Sequence, residues 1–347
     1  MKNGITASAP GKLILIGEHA VVYGNHALIA AINLYAECHA MQTSRGLQIC
    51  LKNYDYIARF SWKKIFTEYQ ARKTLHKNFL GTQDKKLLER KEPALLIILV
   101  IASLLEYTDY KPDTGIKLII SSQVPIGGFG ASSAAGAAVI KVLIKIWGLK
   151  LNTEELISIL VNAEMLFHGR VSGADQATVL LNGLVKFHKD KSGEPHYEKV
   201  SAKSALLKEC IVVDSGTPAD TTGQAVDFVR KNYEKKKKAV SAIFTELERL
   251  SEAILLALSN DDSRLFYTSI SRSGELLEKL DVVTPATRKL TSSLKKLGGA
   301  VKLSGAGSIT GKGSGAVLCF AENKNQKQIL NWLQQLGYKY YLLDLAS

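Results

Sequence analysis

The chain has 347 residues, 46% of them hydrophobic and 22% charged, with a formal net charge of +13. Those proportions exclude a disordered or low-complexity chain and leave room for two domains, each with its own core. The four cysteines, at 38, 50, 210 and 319, form no C-x-x-C pair and no cluster with histidine, which excludes a zinc module or disulfide frame and points to a reducing compartment.

No apolar h-region follows Met1, and the longest apolar run, 94–105, is too short to span a bilayer. A cytoplasmic protein is therefore expected, with no membrane partner. The basic residues are dispersed. The densest run, Lys235-Lys236-Lys237-Lys238, sits beside Glu234 and reads as a solvated helix face. No nucleic-acid motif accompanies it, so the positive balance suits an enzyme whose substrates are anions.

In chain order, residues 5–60 alternate short apolar and polar runs, as strands do. Ile14-Leu15-Ile16 and Leu28-Ile29-Ala30-Ala31-Ile32 are candidate strands, with turns at Gly17 and Gly24-Asn25. Residues 62–92 read as a charged helix, 93–107 as a buried helix, and 116–122 as a strand. A Gly/Ser loop and a helix over 137–147 follow. Asn152 caps a further helix that runs to about His168. A tight turn over 169–175 leads to apolar segments at 177–187 and 210–214, with a hairpin or linker at 189–194. The second half reads as helices at 221–258, 261–280 and 285–297, then strands at 300–304 and 315–320. A helix at 325–336 and a strand at 339–344 close the chain. The class is α+β, with domains expected at 1–200 and 201–347.

The most informative segment is Pro125-Ile126-Gly127-Gly128-Phe129-Gly130-Ala131-Ser132-Ser133-Ala134. A strand, a Gly/Ser loop and a helix start, in that order, make an anion site, because the turned backbone and the first helical N–H groups point at the ligand. A P-loop is excluded, since no Lys-Ser/Thr pair follows the glycines. A dinucleotide fingerprint is excluded too, since Ser133 stands where its third glycine belongs. Lys12 lies in an otherwise apolar stretch and has to meet either water or an anion. Glu18-His19 falls between a strand-like run and a glycine turn, at a strand end where sites form. Glu164 lies near a helix end, with His168 at i+4. The chain then turns through Gly169 and Gly173 to deliver Asp175. Two such carboxylates can serve as a metal ligand and a general base; they can equally be a surface residue and a helix cap.

Taken together, these segments resemble the GHMP small-molecule kinases, and among them the mevalonate kinases most closely. Gly11-Lys12 followed by Gly17-Glu18-His19-Ala20-Val21-Val22-Tyr23-Gly24 resembles that family's first motif. The Gly/Ser loop resembles its second motif, and Val301-Lys302-Leu303-Ser304-Gly305-Ala306-Gly307 its third. Asp214-Ser215-Gly216-Thr217-Pro218-Ala219-Asp220-Thr221 is similar to the family segment that carries a threonine beside the active site.

The resemblance implies a GHMP kinase fold, with an N-terminal ribosomal-S5-like α/β domain and a C-terminal ferredoxin-like α+β domain. It implies ATP-dependent phosphorylation of the 5-hydroxyl of mevalonate, in isoprenoid precursor synthesis, with ATP and Mg²⁺; phosphomevalonate kinase is the alternative. By the same resemblance Asp175 is the catalytic base and Lys12 its partner. Pro125, Gly127, Gly128, Gly130, Ala131, Ser132, Ser133, Ala134, Gly305, Ala306 and Gly307 bind the nucleotide. Ser133 and Glu164 hold Mg²⁺, and Glu18, His19, Ser172 and Thr221 line the acceptor pocket. A homodimer is a possible assembly.

Three departures stand out. Phe129 and Ala131 replace glycines of the second motif. Ser308-Ile309-Thr310-Gly311-Lys312 interrupts the glycine run of the third, which puts Lys312 within expected reach of a triphosphate. Arg170-Val171 replaces a common Asn-Pro pair, and an extra arginine there would favour a phosphorylated acceptor. Loss of the aspartate or of the phosphate loop would mark a non-catalytic relative, and both are present.

Overall fold

The computed structural model describes residues 4–89, 92–201 and 204–346. Met1-Lys2-Asn3, on which the reading of the N-terminus partly rests, lie outside them. The strands are β1 (Ile5–Ile16), β2 (Ala27–Thr43), β3 (Leu47–Leu51), β4 (Tyr56–Phe60), β5 (Gly115–Ser122), β6 (Leu184–Lys189), β7 (Pro195–Val200), β8 (Cys210–Asp214), β9 (Ala300–Ser304), β10 (Ala316–Phe320) and β11 (Tyr340–Leu343). The helices are α1 (Trp62–Thr82), α2 (Leu95–Thr108), α3 (Ala131–Trp147), α4 (Thr153–His168), α5 (Ala174–Leu181), α6 (Thr222–Lys235), α7 (Lys237–Asn260), α8 (Ser263–Lys279), α9 (Pro285–Lys296) and α10 (Asn323–Gln335). No described helix is long and apolar enough to cross a membrane.

The chain divides into two compact units. One contains residues up to Gly11, then 34–126 and 130–181; the other contains 12–33, 127–129 and 182 onward. In the first unit the strands run in the order β4-β3-β5-β2, with β3 and β5 parallel and the other pairs antiparallel. Helix α2 is the core of this unit. Every residue from Leu95 to Leu105 is buried, which is why its sequence is apolar on all sides and not on one stripe.

Helix α4 starts where Asn152 and Glu155 form a capping box, each side chain bonding the other's backbone N–H. Helix α3 crosses α4 at Gly136. A Cβ there would lie 2.5 Å from Leu160 Cδ1 and 3.3 Å from Val100 Cγ2. The missing side chain lets the two helices approach.

In the second unit the first half of β2 pairs antiparallel with β6, and β6 with β7. A separate sheet runs β11-β8-β10-β9, every neighbouring pair antiparallel. Numbered along this half of the chain, that is order 4-1-3-2 with helices in the first and last connections, the ferredoxin-like arrangement that the family resemblance implies. The single helix expected over 221–258 is two helices: Lys236 leaves the helical region (φ −130°, ψ 45°) and separates α6 from α7. The break falls inside the four-lysine run, where Lys235 and Lys238, like charges at i,i+3, would be neighbours on a continuous helix.

Candidate active site

Pro125 leads into the glycine loop. Gly127, Gly128 and Gly130 have φ of 97°, 88° and 73°, the left-handed region that glycine enters without steric cost. Gly130 is the N-cap of α3 and supplies no side-chain cap, so the first N–H groups of the helix, at Ala131, Ser132 and Ser133, are left for an anion. A Cβ on Gly127 or Gly128 would meet nothing within 4 Å; the loop therefore faces open space. Phe129 explains one departure from the glycine pattern. It is buried, its ring meets Tyr341 edge-on with centroids 5.8 Å apart, and its carbonyl accepts from Lys12 N–H at 2.8 Å. An anchor thus stands where a third consecutive glycine would have been loose.

Because Gly136 brings α3 onto α4, Ser133 and Glu164 meet. Ser133 Oγ donates to Glu164 Oε1 at 2.6 Å, and Ser132 Oγ donates to Oε2 at 3.3 Å. Gln176 Nε2 donates to Ser133 Oγ at 3.3 Å, and His168 Nε2 lies 3.7 Å from Glu164 Oε2. Glu164 is 2% exposed. Burial pushes its carboxyl up to about 7; the Ser133 bond opposes this and the charge of Asp175 adds to it. Gln176 Oε1 is buried and has no hydrogen-bond partner.

A hydroxyl, a buried carboxylate whose negative charge is unfavourable, a second carboxylate nearby and an orphaned amide oxygen form an all-oxygen donor set. That set fits a hard divalent cation. Asp175 lies in the first turn of α5, and Ser172 Oγ accepts from Ala174 N–H at 3.3 Å in the turn before it.

In the second unit, Lys12 is buried near the end of β1. Glu18 and His19 follow, both buried. Glu18 Oε1 accepts from Lys302 Nζ at 2.5 Å and from Gly305 N–H at 3.4 Å. Lys302, 1% exposed, also donates to the carbonyls of Leu303 and Ile14. His19 sits at φ 61°, which for a non-glycine residue stores strain of about 1–3 kcal/mol and marks a position worth a functional reading.

The His19 ring Nε2 faces the Ala306 carbonyl at 3.0 Å. Burial pulls its pKa down to about 4, partly opposed by that bond. The ring is therefore neutral near pH 7. Nε2 must carry the proton to satisfy the carbonyl, which leaves Nδ1 as an acceptor. Both His19 Nδ1 and Glu18 Oε2 are buried without a partner. The Gly305-Ala306-Gly307 segment is thus pinned by Glu18 at one residue and by His19 at the next.

Thr221 is the N-cap of α6; its Oγ1 donates to Gln224 Oε1 at 2.9 Å and accepts from Gln224 N–H at 3.3 Å. Lys312 is exposed, and its carbonyl accepts from Thr284 Oγ1 at 2.9 Å. Arg170 is exposed as well.

Two residues were not singled out by the sequence. Lys302 carried a signal, a lysine inside the apolar run Ala300-Val301-Lys302-Leu303, much as Lys12 did. Gln176 carried none beyond its place next to Asp175.

Residues 96–183 match the sequence model of the GHMP kinases N terminal domain. Over 342 residues the chain is 28% identical to the mevalonate kinase of Pyrococcus furiosus, covering 96% of this chain and 93% of that one. It is 26% identical over 373 residues to the mevalonate kinase of Schizosaccharomyces pombe, covering 99% and 90%. Its fold matches the crystal structure of the Methanococcus jannaschii mevalonate kinase with a TM-score of 0.79 at 22% identity, over 100% of this chain and 99% of that one.

Proposed function

We propose that this chain, which belongs to the GHMP small-molecule kinases, transfers the γ-phosphoryl group of ATP to the 5-hydroxyl of mevalonate. The observation that carries the choice of acceptor is the pair of unpartnered acceptor atoms, Glu18 Oε2 and His19 Nδ1. A carboxylate oxygen and an imidazole lone pair receive hydroxyl protons and repel a phosphate. Similarity to mevalonate kinases over nearly the whole chain supports the same acceptor.

In this reading the uncapped start of α3 receives the triphosphate, and the family resemblance assigns the glycine loop and Gly305, Ala306 and Gly307 to the nucleotide as well. Ser133 and Glu164 would hold Mg²⁺, which, when bound, neutralises phosphate charge. Asp175 accepts the proton of the 5-hydroxyl. That oxygen forms a bond to the γ-phosphorus, and the bond from the γ-phosphorus to the β–γ bridging oxygen breaks. ADP leaves with the bridging oxygen, and the phosphate ester remains on the acceptor. The family resemblance gives Lys12 the role of stabilising the forming alkoxide. Phosphoryl transfer asks for positioning and charge neutralisation more than covalent help, and this donor set offers both. The same resemblance assigns Ser172 and Thr221 to the acceptor. The same reading sets the enzyme in the cytoplasm, and a homodimer is compatible with it.

A coupled ADP-release assay with Mg-ATP, comparing mevalonate with 5-phosphomevalonate, tests this reading. Turnover with mevalonate and not with the phosphorylated acceptor is expected. Turnover with 5-phosphomevalonate alone would refute the acceptor assignment and make Arg170 the residue to substitute next.

A further inference from the structure

The connection between β9 and β10, residues 305–315, departs from an uninterrupted glycine run, and the structure shows what replaces it. At its base Ser314 N–H donates to Ser215 Oγ at 3.0 Å, Ser215 Oγ donates to the Gly315 carbonyl at 2.7 Å, and Gly315 N–H donates to the Gly216 carbonyl at 3.1 Å. A Cβ on Gly313 would lie 2.3 Å from the Gly216 backbone, so this contact is closed. At the tip a single oxygen gathers the loop. Asp220 Oδ2 accepts from Ser308 Oγ at 2.7 Å, Ile309 N–H at 2.8 Å, Thr310 N–H at 2.8 Å and Thr310 Oγ1 at 3.0 Å. Asp220 N–H in turn donates to Ser308 Oγ at 3.2 Å. Both anchors come from one segment, the connection between β8 and α6.

Two consecutive backbone N–H groups converging on one point form an anion nest. Here an internal carboxylate occupies it. Those bonds hold the Asp220 carboxyl down to about 2, so it stays ionised across the working range. Asp220 precedes Thr221, and the loop it gathers begins two residues beyond Ala306, whose carbonyl receives the His19 ring proton. One carboxylate therefore stands between two pieces of the acceptor pocket that are far apart in sequence.

We propose that Asp220 is a positioning residue for the acceptor pocket. By gathering residues 308–310 it fixes the Ala306 carbonyl, and with it the orientation of the His19 ring and of Thr221. The inference rests on the reading that Glu18, His19 and Thr221 face the acceptor. Without the carboxylate, two N–H groups and two hydroxyls turn to water. The loop relaxes, and His19 loses the fixed partner that sets its tautomer. Acceptor binding suffers first, because the Asp220 bonds run to residues 308–310, two residues from the Ala306 carbonyl that holds His19.

The test uses the full chain with Asp220→Ala and Asp220→Asn, read by amide hydrogen exchange over 308–312 and by steady-state kinetics. Asp220→Ala is expected to speed exchange at Ile309 and Thr310. It should also raise the KM for mevalonate roughly tenfold, while kcat and the KM for ATP stay within about twofold. Asp220→Asn keeps one acceptor oxygen and should fall between wild type and Ala in both readouts; it carries the test if the Ala variant fails to fold. Faster exchange with an unchanged acceptor KM would overturn the proposal, and so would unchanged exchange. If wild type turns over 5-phosphomevalonate instead, the reading of the acceptor fails. The same KM comparison made with that acceptor then decides the role of Asp220.

Discussion

Glu164→Gln turns the electrostatics of the buried cluster into a stability measurement. In the folded protein the Glu164 carboxyl is pushed from its ordinary 4.5 up to about 7, first by burial. A folded-state value raised by that margin corresponds to about 3 kcal/mol, at 1.36 kcal/mol per pH unit. The sign follows from proton uptake. Between pH 4.5 and 7 the folded state holds this proton more tightly than the unfolded chain, so stability falls as pH rises through that window. The contribution is fully present below about 4.5 and gone above about 7.

Glutamine cannot ionise, and its amide oxygen still accepts from Ser133. The variant should match wild type near pH 4.5 and be more stable by about 2–3 kcal/mol at pH 8 in the presence of a chelator. Urea unfolding followed through Trp62 and Trp147, both in the unit that holds Glu164, reads the difference at the two pH values. Added Mg²⁺ should narrow the gap, because a cation that binds the native carboxylate stabilises only wild type. A stability difference that does not change between the two pH values would refute the reasoning.

Three further outcomes are expected. Asp175→Asn should abolish turnover while leaving ATP binding within about threefold of wild type by calorimetry; more than a few per cent of residual rate would remove Asp175 from the role of base. Lys302→Met leaves Glu18 buried and unpaired and should destabilise the protein by about 3–5 kcal/mol, with most of that recovered in the Glu18→Gln/Lys302→Met double variant. A denaturation cycle in which the two losses simply add would contradict the pairing. Gly136→Val overpacks the crossing of α3 and α4 and should cost about 1–3 kcal/mol. It should also reduce activity, since it separates Ser133 from Glu164. Full activity in a folded Val variant would show that the close approach is dispensable.

Local signals were legible in the sequence where the chain's chemistry is local. The capping box at Asn152 and Glu155 and the all-apolar run of α2 each depend on neighbours within a few residues, and each reads directly; α3, expected over 137–147, starts at Ala131, so its first turn-and-a-half of small residues read as loop. The alternation of the second half of β2, where Ala36, Cys38 and Ala40 are buried between more exposed residues, is the strand pattern read across 5–60, but it is not joined there to the apolar first half as one 17-residue strand. The contacts that shape the site are of another kind. Lys302 reaches Glu18 across 284 residues, and Asp220 gathers a loop 88 to 90 residues away. Phe129 packs on Tyr341 from the far end of the chain. Nothing in spacing or periodicity encodes such pairings. The resemblance to a kinase family singled out the segments these residues lie in, but not the lysine that holds Glu18 or the aspartate that gathers the loop interrupting a glycine run.

The most direct test of the central claim is a phosphorus NMR time course with wild-type protein, Mg-ATP and mevalonate. The account predicts that the γ-phosphate signal is replaced by ADP and a phosphomonoester coupled to the methylene protons at carbon 5, and that the Asp175→Asn protein yields none. Release of inorganic phosphate alone, or an ester at the tertiary hydroxyl, would contradict it.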